Sequence, residues 1–360
     1  MNRATLEEFW AESERLRDLV EPWLHRGGRL PLLRNLHLRS GALAYQSGGG
    51  KRLRPILLLL CNVVCGGNEQ AALPAAAAVE LFHTWTLIHD DIIDRDELRR
   101  SKPTVHKLIS EKSCAEMGLD VPTSVHYGLS LAILAGDAVH GAAVDLLTLV
   151  NTDDNLKLAL VRRMERSLLP GLLDGEAEDI SLSLLPLEQV SEKQVLQMLY
   201  RKTALLMGYC AWAGAAIALG NPDLRHPWTM ELRRAAGEAG MAFQLRDDIL
   251  GITGDEKTLG KPVGSDLREG KRTVMLLHAL VNAGSSDRAR LLQLVGKDDL
   301  DATGVAEAVT IIERSGGLRR GKELADKYAQ SALARLEHLP DNKARGLLAA
   351  WCAYVVGREY

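Results

Sequence analysis

Two stretches of the sequence run from apolar residues into paired carboxylates. In the first, Leu87-Ile88-His89 leads into Asp90-Asp91-Ile92-Ile93-Asp94. On a helix Asp90 and Asp94 stand one turn apart on the same face, with Asp91 beside them. Carboxylates this close repel one another unless cations are present. Hard oxygen ligands at this spacing suit magnesium, which keeps several waters and bridges to phosphate oxygens. The second stretch is Phe243-Gln244-Leu245-Arg246-Asp247-Asp248, where Gln244 shares a helix face with both aspartates at three- and four-residue spacing. A lone acidic cluster reads equally well as a solvated helix end. The apolar residues ahead of Asp90 set the first cluster at the end of a buried helix, which favours function.

Cationic residues accompany both clusters. Arg99-Arg100, Pro103 and His106 follow the first. Adjacent guanidiniums suit phosphate recognition through bidentate hydrogen bonds. After the second come Gly260-Lys261-Pro262-Val263-Gly264-Ser265-Asp266 and Gly270-Lys271-Arg272-Thr273. Glycines there permit close backbone approach, and lysines act as mobile point charges on phosphate. Gly49-Gly50-Lys51-Arg52-Leu53-Arg54-Pro55 concentrates three cations at a helix entrance, and Arg201-Lys202-Thr203 sets a cation and a hydroxyl at the head of an uncharged stretch. Each of these alone also reads as a solvated basic turn or a helix cap. Together with the carboxylates they describe a site for diphosphates held through magnesium. No Walker lysine-serine loop or GxGxxG strand-turn-helix occurs, so nucleotide binding is disfavoured.

The elements that must carry these residues are helices. Apolar residues recur at three- and four-residue spacing over residues 6–26, 55–64, 126–150, 155–176, 191–219, 229–250, 271–283, 303–314, 318–336 and 342–357. Pro74 is expected to open a long helix through Asp94 from near its first position. No strand is expected: alternating β-branched runs with hairpin turns are missing, and aromatics make up only 4% of the chain. Residues 95–122 are read as the main irregular connection. No linker or repeat divides the 360 residues, so one all-α domain over 1–360 is expected. A net charge of −3 offers no field for nucleic acid. Five scattered cysteines without metal spacing are expected to be reduced thiols. Residues 203–222 carry no charge and approach the length of a membrane span. Their Ala and Gly content, opening directly on Arg201-Lys202, favours a buried helix, with no integral membrane segment and a cytoplasmic location.

The motifs GGKRLRP, HDDIIDRDELRRSKPTVH, Lys202-Thr203, FQLRDD and GKPVGSDLREGKRT, in this order over about residues 47–275, resemble the trans-isoprenyl diphosphate synthase family. The resemblance implies that family's all-α bundle around a deep central cavity with both aspartate motifs at its mouth, and a homodimer. It implies that Asp90 and Asp94, supported by Asp91, bind two of three magnesium ions, and that Asp247, supported by Asp248, binds the third. It assigns Arg99, Lys202, Thr203, Gln244, Lys261 and Lys271 to an allylic diphosphate, and Lys51, Arg54, His83 and Arg100 to isopentenyl diphosphate. Arg52 is a neighbour without a settled role. One departure stands out: Gly251 falls where many members carry a third aspartate, which leaves Asp247 with less carboxylate support.

The implied reaction ionises the allylic carbon–oxygen bond, adds the isopentenyl double bond to the resulting cation, and loses a proton to the departing diphosphate. Water must be excluded, because it would capture the cation. Product length is expected to be set below the aspartates. Phe82, Thr86, Asp90 and Asp94 form one ridge, and Trp85 flanks Thr86 roughly 7.5 Å down the axis from Asp90. In this family a bulky residue there resembles synthases that stop at geranylgeranyl diphosphate. Farnesyl diphosphate is the alternative, if Phe82 and Trp85 together shorten the pocket. A second reading has Trp85 simply packing on a neighbouring helix. A class I terpene cyclase would need no isopentenyl site, so Lys51, Arg54 and Arg100 count against it. A non-catalytic subunit of such an enzyme would be expected to lack the aspartates that this chain keeps.

Overall fold

The computed structural model describes residues 3–25, 30–46, 50–253, 264–297 and 299–356. The chain is all-α and divides into two compact units: residues up to 162 with 212–224, and residues 163–211 with 225 onward.

The first unit holds α1 (Arg3–His25), α2 (Leu36–Leu43), α3 (Leu53–Val64), α4 (Glu69–Ile93), α5 (Val105–Met117), α6 (Val121–Thr148) and most of α7 (Asp154–Arg163). α3 is buried without a break from Pro55 to Asn62. The alanines at 75–78 of α4 are fully enclosed, so neighbouring helices pack against its backbone rather than against long side chains. Where α4 meets α6, a Cβ at Gly136 would stand 2.2 Å from Nε2 of His89. A side chain at 136 would therefore force α6 away from the acidic end of α4.

α4 starts earlier than Pro74 suggests. Asn68 caps the helix by accepting a hydrogen bond from the Gln70 amide at 2.9 Å, and Pro74 lies inside it. The proline removes one backbone bond near the N-terminus, and the surrounding packing absorbs that loss. The connection over 95–122 is also more regular than its polar composition suggests. Leu98–Arg99 pairs antiparallel with Lys102–Pro103, the short strands β1 and β2. Arg100 and Ser101 between them have φ of 52° and 60°, the left-handed pair of a type I′ hairpin turn. α5 follows; only Val105, Ile109 and Ser113 of it are buried, a stripe too narrow to signal a helix in the sequence.

The second unit holds α8 (Leu169–Leu184), α9 (Glu192–Leu199), the start of α10 (Leu205–Leu219), α11 (Pro227–Thr253), α12 (Ser265–Arg268), α13 (Val274–Asn282), α14 (Ser285–Leu294), α15 (Ala302–Arg314), α16 (Gly317–Leu336) and α17 (Lys343–Val356). Leu245, Ile249, Met275, Leu276, Ile312 and Ala325 are among its core residues. Two segments that periodicity reads as single helices are each interrupted by a π-helical turn, Met164–Leu168 and Tyr200–Ala204. Such turns disturb the backbone ladder and recur at functional sites. The second one carries Lys202 and Thr203.

Glu69–Ile93, Val121–Thr148 and Glu192–Leu219 are long and apolar enough to cross a membrane, but the apolar windows of the first and third are 83% and 78% buried inside the protein. The uncharged stretch after Lys202 is therefore a core helix. α6 is the exception, with only 44% of its window covered.

Candidate active site

The last turns of α4 sort the first aspartate cluster onto two faces. Asp90 is half-buried and Asp94, the C-cap residue, is exposed. Asp91 points the other way and is fully buried. It accepts hydrogen bonds from Nε of Arg99 at 2.8 Å and from the Tyr45 hydroxyl, and Nη2 of Arg99 lies 2.5 Å from Oδ1. Burial, together with the bond to Asp91, raises the Tyr45 phenol. Burial opposes the charge on Arg99, but Asp91 more than restores it. Asp91, expected as a supporting metal ligand, braces Arg99.

The GGKRLRP segment divides in the same way. Arg52, N-cap of α3 with φ of 48°, is buried and bound to Glu21 at 2.9 Å, Glu80 at 2.8 Å and the Gln46 carbonyl at 2.9 Å. Its role is structural, and it holds the turn from which exposed Lys51 and half-buried Arg54 project. Arg100 reaches this turn from the hairpin: Nη1 lies 3.4 Å from where a Cβ on Gly50 would stand. His83 is pushed well below its ordinary pKa, first by burial and then by the charges of Arg54, Arg99, Arg100 and Arg52. It is thus a neutral imidazole among guanidiniums. Several guanidiniums gathered around a neutral His83 suit the binding of an anion.

Below Asp90, Phe82 and Trp85 are buried with ring centroids 5.1 Å apart. His140 of α6 completes the stack, 5.0 Å from Trp85 and 5.8 Å from Phe82. Trp85 does pack on a neighbouring helix, through the polar ring of His140, which no spacing along the chain singles out. Thr86 is buried, and its hydroxyl donates to the His83 carbonyl at 2.8 Å.

In the second unit a chain of contacts starts at the π-helical turn. Thr203 Oγ1 donates to Gln244 Oε1 at 2.9 Å, Gln244 Nε2 donates to Asp248 Oδ1 at 3.1 Å, and Lys271 Nζ donates to the same oxygen at 2.9 Å. Lys271 also lies 3.5 Å from Asp266. Burial raises Asp248 to about 6 despite the pull of Lys271. Burial opposes the charge on Lys271, but Asp248 and Asp266 hold its pKa well above the ordinary lysine value. Lys202 is held in turn by Asp179 at 2.7 Å and Glu176 at 2.8 Å, which outweigh its burial. Asp247 is half-buried beside this network. Lys261 lies outside the described residues.

Asp266 is a site residue that the sequence reading missed. A Cβ at Gly251 would fall 2.6 Å from its Oδ2. A carboxylate from α12 thus stands beside the position where the third aspartate of α11 would fall. The signal was present in GKPVGSD, but nothing in the sequence showed that it folds back on Gly251.

Carboxylates outnumber the ammonium groups of this network, so it favours an added cation. Among the described residues no three His, Cys, Asp or Glu side chains gather into a complete metal cage. That donor set fits magnesium, which binds through one or two carboxylates and completes its shell with water and phosphate oxygens.

Comparison with known proteins agrees with these motifs. Residues 37–312 match the polyprenyl synthetase family. A short chain isoprenyl diphosphate synthase of Methanothermobacter thermautotrophicus is 36% identical over 314 residues, covering 87% of this chain and 88% of that protein. The crystal structure of geranylgeranyl pyrophosphate synthetase from Pyrococcus horikoshii superposes with a TM-score of 0.85 at 31% identity, covering 98% of this chain and 99% of that one. Geranylgeranyl pyrophosphate synthase from Corynebacterium glutamicum, solved with isoprenyl diphosphate and magnesium, gives 0.83 at 30% identity over 98% and 99% of the two chains. The chain belongs to the polyprenyl synthetase family and is a trans-prenyltransferase that makes a short-chain prenyl diphosphate.

Proposed function

We propose that the enzyme condenses isopentenyl diphosphate with an allylic diphosphate and releases all-trans geranylgeranyl diphosphate. The observation that carries the product length is the buried stack of Phe82, Trp85 and His140 below Asp90. Farnesyl diphosphate is the second reading, favoured by the same stack if Phe82 already closes the pocket. The test is to incubate the pure protein with isopentenyl diphosphate, each allylic primer and magnesium, and to identify the chain lengths formed. Diphosphate release from an allylic substrate without isopentenyl diphosphate would instead reveal a cyclase.

Asp90 and Asp94 would hold two magnesium ions and Asp247 a third, with Asp248 fixing Lys271 nearby. When bound, the metal supplies positive charge to a leaving diphosphate. Arg99, Lys202, Thr203, Gln244, Lys261 and Lys271 bind the allylic diphosphate. As the carbon–oxygen bond breaks, the charges of Arg99, Lys202 and Lys271 meet the negative charge growing on the leaving group without having to reorganise. Lys51, Arg54, His83 and Arg100 hold isopentenyl diphosphate so that its double bond attacks the allyl cation. The proton is then lost to the departing diphosphate, and no protein base is required. The apolar rings below exclude water from the cation.

The enzyme works as a homodimer in this reading. Its support is the apolar surface that α6 leaves uncovered, where Val125, Ile133 and Leu134 are 46%, 47% and 50% exposed. Light scattering on the eluting protein should give twice the mass of the chain.

A further inference from the structure

Tyr45 stands one residue past the C-cap of α2 and is half-buried. Its hydroxyl sits where three segments meet. It donates to Oδ2 of Asp91 at the end of α4, and it accepts a hydrogen bond from the amide of Val105, the first residue of α5, at 3.3 Å. A hydroxyl has one proton to give. The Val105 amide can only donate, so the Tyr45 proton is committed to Asp91. Burial and the bond to Asp91 raise the phenol, which therefore keeps that proton.

Asp91 thus divides its oxygens. Oδ2 takes the phenol, while Oδ1 takes both Nε and Nη2 of Arg99, at 2.8 Å and 2.5 Å. Among the described residues, the third guanidinium nitrogen, Nη1, makes no hydrogen bond. A carboxylate and a guanidinium left to themselves favour a fork across both oxygens. Without the phenol, Oδ2 would be bare within a fully buried side chain. Among the described residues, Arg99 is the other side chain that donates to this carboxylate. Its guanidinium would slide across both oxygens and carry Nη1 inward.

The hairpin itself closes without Tyr45. The Thr104 amide donates to the Glu97 carbonyl at 3.0 Å, and the Thr104 hydroxyl donates to the Asp96 carbonyl at 2.8 Å. Arg100 on its turn should hold its place when the phenol is lost.

We propose that Tyr45 is a positioning residue for prenyl transfer: by filling Oδ2 of Asp91 it confines Arg99 to Oδ1 and leaves Nη1 to the allylic diphosphate. This rests on the assignment of Arg99 to that substrate.

Tyr45→Phe removes one oxygen atom. In steady-state assays its KM for the allylic diphosphate should rise about three- to tenfold, part or all of a charge-assisted contact. Its KM for isopentenyl diphosphate should not change. The melting temperature should also fall, but KM reads only the folded enzyme. Tyr45→Met, flexible enough to repack, is the second variant should the first not fold, and it should move the same constant. Arg99→Ala should itself raise the allylic KM, and adding Tyr45→Phe to it should raise that KM no further. Wild-type KM for both substrates in a folded variant at position 45, an equal rise in both, or a further rise on top of Arg99→Ala would each overturn the role of Tyr45. A wild-type allylic KM in Arg99→Ala would overturn the assignment of Arg99, and the proposal with it.

Discussion

Arg99 closes on Asp91: Nη2 lies 2.5 Å and Nε 2.8 Å from one oxygen of a carboxylate that is itself fully buried. Neighbouring aspartates therefore do different work, and the difference is measurable. Asp91→Ala removes one partner of a buried ion pair and should cost about 3 kcal/mol of stability by urea denaturation. Asp90→Ala should change stability by less than about 1 kcal/mol. A similar loss in both variants would show that Asp91 has no special bracing role.

Turnover should rank the variants differently. Asp90→Ala or Asp247→Ala removes a ligand for the metal that offsets leaving-group charge. Each should lower kcat by about a hundredfold or more. Steady-state assays with and without chelator check this, since undiminished activity in chelator would exclude the metal assignment.

The two diphosphates should separate by variant. Arg100→Ala should raise KM mainly for isopentenyl diphosphate, and Lys202→Ala mainly for the allylic partner. Each change should be roughly tenfold, the value of a lost charge-assisted contact. Arg52→Ala should instead lower the melting temperature, because it leaves buried Glu80 without its guanidinium. Equal effects of Arg100→Ala and Lys202→Ala on both substrates would undo the division.

Product length should respond to three positions. Trp85→Ala should lengthen the product, and Phe82→Ala should lengthen it further in the double variant. His140→Ala, from α6, should act with them because its ring lies 5.0 Å from that of Trp85. Chromatography of the prenyl alcohols reads the result; an unchanged distribution in active variants would place the floor on another helix.

Much of this was legible in the sequence, for a physical reason. Asp90, Asp94, Asp247, Lys202 and Gln244 are spaced along single helices, where a fixed rise and rotation convert sequence distance into geometry. The inward turn of Asp91 was not legible, since it depends on Tyr45 and Arg99 arriving from other segments. His140 was hidden for the same reason: its partners lie on α4. The hairpin at Arg100 escaped notice because its turn uses two non-glycine residues in the left-handed region, where glycine or asparagine would have signalled it. Pro74 misled the boundary of α4 because a buried helix tolerates a proline that an isolated one would not.

The close approach of Gly251 and Asp266 makes the two positions one electrostatic and steric unit. Counted column by column, the chain is one acidic residue short in α11. Counted in space, a carboxylate is present there, brought by Asp266. Gly251→Asp alone would thrust a second charge against Asp266, and Asp266→Ala alone would strip Lys271 of a neighbour. Only the reciprocal exchange, aspartate at 251 with glycine at 266, conserves both volume and charge. Each single change at this pair therefore upsets the charge balance around Lys271, so the residue at 251 is read together with the one at 266.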